Sequence, residues 1–170
     1  PNIYAINQYN EQNTINSLVS QLGKQTQLPN MYKNYTIFNN QLVDKIVQYR
    51  EKALPNVLNF LNSATEEKSI AEGIFVIDRM CDAKVSGIEK SYPVLSRFNN
   101  TTSPTIQSLL AGVYRKTQVP DGFGPLCKMM IRNSLLPTCP YFDPTEEIGG
   151  AILEYIRNKN ATEKYPAVRA

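Results

Sequence analysis

Three short blocks of this chain share one pattern at one spacing. Ile70-Ala71-Glu72-Gly73-Ile74-Phe75, Leu109-Leu110-Ala111-Gly112-Val113-Tyr114 and Ile148-Gly149-Gly150-Ala151-Ile152-Leu153 begin 39 residues apart. In each, an aliphatic residue is followed by small or short residues and then by an aliphatic-plus-bulky pair. A fixed period in this range implies stacked helical hairpins, because one hairpin cannot bury its apolar face without the next.

Local signals place the helices. Ile15, Leu18, Val19 and Leu22 follow the i, i+3, i+4, i+7 rule within Gln12–Leu22, and Gly23 suits the position past a helix end. A second helix is expected over 39–52 with Leu42, Val43, Ile46 and Val47 on its apolar face, and Pro55 should break or kink it. Thr65 reads as the N-cap of a helix carrying Ile70, Ile74, Phe75, Ile77 and Met80 and ending by Gly87. Pro93 starts or kinks a segment with Val94, Leu95 and Phe98. Ser103-Pro104 and Asp143-Pro144 each set a capping side chain before a proline whose missing N–H is harmless at a helix start. Val119-Pro120-Asp121-Gly122 is a turn into an apolar helix over 125–136, stopped by Pro137 and Pro140. Alternating strand patterns are nearly absent. The expected fold class is all-α: helical hairpins stacked as a short irregular solenoid, or a closed multi-helix bundle. Residues 1–38 form a polar segment with one helix packed on the core, 39–160 the helical domain, and 161–170 a frayed tail.

The quoted blocks together with Ser103-Pro104 and Asp143-Pro144 faintly resemble the HEAT/armadillo class of helical-hairpin repeats over residues 65–160. The resemblance implies a protein- or peptide-binding scaffold with no chemistry of its own. The chain departs from the family where the helix at Thr65 lacks the proline and where the second helices of successive units fall out of register.

Size and composition fit one globular domain: 170 residues, 42% of them apolar, with 18 basic against 15 acidic side chains. A net charge of +3 is too small to argue for nucleic acid. No apolar run approaches the ~18–20 residues that cross a bilayer. No signal peptide opens the chain, and a cytoplasmic location is expected, though a leader already removed would leave no trace. Cys81, Cys127 and Cys139 lack metal-like spacing and read as free thiols, with a Cys127–Cys139 bridge as the alternative. Sequons at Asn34, Asn99, Asn100 and Asn160 do not establish secretion.

The chain contains no histidine. That removes Ser-His and Cys-His activation and the commonest transition-metal ligand. Asp78 and Asp82 share a helical face and could hold a cation or work as an acid/base pair, but read better as a solvated face answered by Arg79 and Lys84. Asp121-Gly122-Phe123-Gly124 lacks the ending of a phosphate-binding loop and reads as a tight turn. No catalytic, metal-binding or cofactor residue is expected. The candidate interaction surface is Arg97, Tyr114, Arg115, Lys116, Lys128, Arg132, Tyr155 and Arg157. The expected function is a non-enzymatic protein-interaction module or a subunit of a larger assembly. The alternative is a lipid- or nucleic-acid-associated protein using a basic stripe.

Overall fold

The computed structural model describes residues 3–24, 38–135 and 143–158, without the side chains of the first two. These residues are all-helical. The α-helices are α1 (Ile3–Val19), α2 (Asn40–Val47), α3 (Leu54–Ser63), α4 (Glu67–Asp82), α5 (Tyr92–Leu95), α6 (Pro104–Thr117), α7 (Phe123–Ser134) and α8 (Thr145–Arg157). Short 3-10 turns join several of them.

Helix α4 is the hub, packing against α2, α3 and α6, with α6 in turn packing against α8 and α8 against α7. The hub position explains its burial: Ile70, Ala71, Gly73, Ile74, Val76, Ile77 and Met80 are all inside. The three blocks spaced by 39 residues therefore lie in α4, α6 and α8, which neighbour one another in that order. The glycine of each block meets a different neighbour. A Cβ on Gly73 would stand 2.7 Å from Leu61 Cδ2 of α3, and one on Gly149 would stand 3.2 Å from Met130 Cε of α7. Helix α1 packs on α2 and α3, and Ile15, Val19 and Leu22 bury their side chains in the same core.

The helix ends follow local chemistry. Asn39 Oδ1 accepts from the Leu42 N–H at 3.0 Å, and Ser103 Oγ accepts from Ile106 with Pro104 in the first turn. At the end of α4, Val85 N–H donates to Met80 O and Lys84 N–H to Cys81 O, with Lys84 at φ 52. That is the left-handed C-terminal motif usually made by glycine.

Several expectations need correction. The helix expected over 39–52 stops at Val47 and resumes as a 3-10 turn at Arg50–Lys52, whose first residue, Arg50, takes φ 50 and breaks the α-helical path. Pro55 sits in the first turn of α3 rather than in a kink. Glu66, not Thr65, precedes α4, and its side chain makes no capping bond. Helix α4 ends at Asp82, within its expected limit of Gly87, whereas α7 runs two residues earlier than expected. Asp143 does hold the start of α8, accepting from Thr145 N–H at 2.9 Å and Thr145 Oγ at 2.6 Å, but the helix begins after Pro144. These two bonds hold the Asp143 carboxyl below its usual range. The irregular connection expected over 26–40, the tail after Asn158 and Cys139 lie wholly or largely outside the described residues.

Candidate interaction surface

Charged side chains tie the α4–α6–α8 row together. Lys116 of α6 places Nζ 2.9 Å from Asp78 Oδ2 and 2.8 Å from Asp82 Oδ1, both on α4. Its neighbour Arg115 reaches the other way, 2.8 Å from Glu147 Oε1 on α8. The Asp78/Asp82 pair is thus answered by Lys116, and Arg79 instead pairs with Asp44 of α2 at 3.2 Å. This corrects the expectation that Arg79 and Lys84 serve the pair. The sequence could not show it, because the true partner is 34 to 38 residues away.

Between these helices lies a recess of about 230 Å³ lined by Asp78, Ser108, Gly112, Lys116 and Glu147 among others. Asp78 is the most enclosed of its charges, with 16% of its side chain exposed. Burial raises its carboxyl above the usual range although Lys116 pulls the other way. The Lys116 ammonium is lowered by burial, but the bonds from Asp82 and Asp78 outweigh that and leave it raised. Among the described residues Asp78 Oδ1 has no hydrogen-bond donor, and it lies 3.1 Å from where a Cβ on Gly112 would be. The glycine makes room for the carboxylate. Burial also pushes the Cys81 thiol up to about 12, which keeps it un-ionised and poor as a nucleophile. Cys127 is half-buried on α7, with its thiol raised by the same cause.

The eight surface candidates divide sharply. Tyr114 and Tyr155 are wholly buried, which overturns their assignment to the surface. Each satisfies its hydroxyl inside: Tyr114 donates to Asn99 Oδ1 at 2.7 Å and Tyr155 to Val119 O. A tyrosine with a partnered hydroxyl behaves as a large core residue. Arg97 and Arg132 serve the scaffold. Arg97 Nη1 donates to Asn62 O at 2.8 Å at the end of α3, and Arg132 Nη2 donates to Asn99 O at 2.9 Å. With Arg115 and Lys116 in ion pairs, Lys128 and Arg157 are the two exposed candidates that have no such role among the described residues.

What sequence reasoning missed is apolar. Ile131 (61% exposed) stands on α7 and Leu135 (80%) at its C-terminal cap, with Leu153 (50%) and Ile156 (43%) on α8. The two helices run antiparallel, since the Phe123 ring lies tilted against Tyr155 with centroids 5.7 Å apart while Met130 reaches Gly149. Their core faces are set by Leu126 and Met129 and by Ile148, Ala151 and Tyr155. Ile131 and Leu135, four apart, fall off the first register, and Leu153 falls off the second. That offset was the available signal.

Among the described residues, no group of His, Cys, Asp and Glu is placed to hold a metal ion, and no helix is long and apolar enough to cross a membrane. Comparison with known protein families, with curated proteins and with solved structures finds no match to this chain.

Proposed function

We propose that this chain is a non-enzymatic protein-interaction module, or one subunit of a larger assembly, binding through the helical surface of α7 and α8. One observation carries the reading: Ile131, Leu135, Leu153 and Ile156 are left in water on two helices whose opposite faces are fully used by the core. Fully burying one such side chain is worth roughly 1.5–3 kcal/mol, so covering even part of the group is a substantial drive to associate. Lys128 on α7 and Arg157 on α8 are exposed charges on the same two helices, of the kind that rim an apolar interface. The ion pairs of Lys116 and Arg115 hold the supporting row in place. The basic-stripe alternative for lipid or nucleic acid draws less support, because Arg97, Arg115, Lys116 and Arg132 already have partners within the chain.

The test is capture of partners by the purified chain, washed at low and then high salt. An apolar interface survives high salt and is lost in Ile131→Asp and Leu153→Asp. Capture that vanishes with salt and ignores both substitutions would reject the reading.

A further inference from the structure

Helix α8 stands at the end of the α4–α6–α8 row, and among the described helices it packs chiefly on α6 and α7. Ile148, Ala151 and Tyr155 point into the core. The opposite stripe, at spacings of 4, 3 and 4, is Glu146, Gly150, Leu153 and Arg157. Glu146, Leu153 and Arg157 are exposed. Read backwards, the stripe is its own complement. Laid antiparallel on a second copy, Glu146 meets Arg157, and Leu153 meets Gly150. Among the described residues nothing demands a glycine there: a Cβ on Gly150 would make only ordinary contact with Arg115 Nη1 at 3.7 Å. A glycine in a helix interior costs roughly 1 kcal/mol relative to alanine, so close approach by an outside side chain gives it a use. Neither Glu146 nor Arg157 forms an ion pair within the described residues.

We propose that the chain forms a two-fold homodimer through the outer face of α8, two antiparallel copies of which seat Leu153 over Gly150 and pair Glu146 with Arg157. A two-fold contact requires this self-complementarity, with residue i touching j and j touching i. The inference rests on the α7–α8 surface being an association surface, and it names a second copy as the occupant.

Sedimentation equilibrium of the purified chain tests it. The expected result is a concentration-dependent dimer. Glu146→Arg or Arg157→Glu alone should weaken it at least tenfold, and the double reversal should restore it, because each new charge then meets its opposite across the axis. Circular dichroism of all three variants checks that α8 still folds. A chain that stays monomeric at every concentration, or a double reversal that fails to rescue a folded protein, overturns the dimer. Binding of an apolar fluorescent dye separates this from failure of the underlying reading. A monomer whose dye binding is lost in Leu153→Asp keeps the association surface and rejects only the second copy. A monomer that binds no dye rejects both.

Discussion

Gly23 donates its backbone N–H to the buried carboxylate of Glu72 at 2.5 Å, tying the end of α1 to the middle of α4. The other Glu72 oxygen accepts from the Asn39 N–H at 3.4 Å, at the start of α2. One side chain thus holds the two ends of the connection between the first two helices. Glu72→Gln replaces one acceptor by an amide donor facing an N–H. It should destabilise the chain by about 1–3 kcal/mol, read from urea midpoints. A loss under about 0.5 kcal/mol would mean the clip is replaceable by water.

Gly112 and Asp78 should be energetically coupled. A helix-interior Gly→Ala change is ordinarily worth about 1 kcal/mol in favour of the folded state. Here the new methyl would press on Asp78 Oδ1, which lies 3.1 Å from its position, and disturb the bond to Lys116. Gly112→Ala should therefore be neutral or destabilising in the parent chain and stabilising by about 1 kcal/mol in an Asp78→Ala background. Simple additivity in this double-mutant cycle would reject the coupling.

The same carboxylate sets a pH dependence. Burial raises the Asp78 carboxyl, so the folded chain holds that proton more tightly than the unfolded chain does. Its contribution to stability therefore grows as pH falls through the folded pKa and is complete below the unfolded value. Asp78→Asn removes that gain. Between about pH 7 and pH 4 the parent chain should gain on the variant, by urea midpoints at each pH. Lys116 acts at the other limit. Its raised pKa contributes stability below the ordinary lysine value that is lost as pH rises through the folded pKa, and Lys116→Met should lack this alkaline loss.

Cys81 should resist alkylation. Its thiol stays protonated well past neutral pH, chiefly because it is buried, and the nearby Asp78 charge adds to the effect. Iodoacetamide followed by peptide mass analysis should find Cys81 unmodified in the native chain and modified in urea. Rapid native labelling at Cys81 would show that α4 opens locally.

Periodicity and capping residues made much of the fold legible, because both act within a turn or two of the chain. Ile15, Val19 and Leu22 are buried as their spacing predicts, and Ser103-Pro104 opens α6. Side chains whose role depends on distant partners were opaque. Tyr114 and Tyr155 looked like surface residues because the acceptors of their hydroxyls, Asn99 and Val119, are 15 and 36 residues away. Arg97, Arg132 and Lys116 looked like a basic stripe for the same reason. The exposed apolar side chains were hidden by an opposite effect: Ile131 and Leu153 are apolar, and pattern reasoning assigns apolar residues to the core.

The arginine contacts also bear on how the chain is made. Asn62 at the end of α3 is held by Arg97, 35 residues later, and Asn99 by Arg132, 33 residues later. During synthesis, at roughly 5–20 residues per second, each of these helix ends emerges seconds before the guanidinium that will hold it exists. At these two places a helix end is completed only by residues translated after it. A nascent chain paused in that interval carries a helix whose last carbonyls are still met by water.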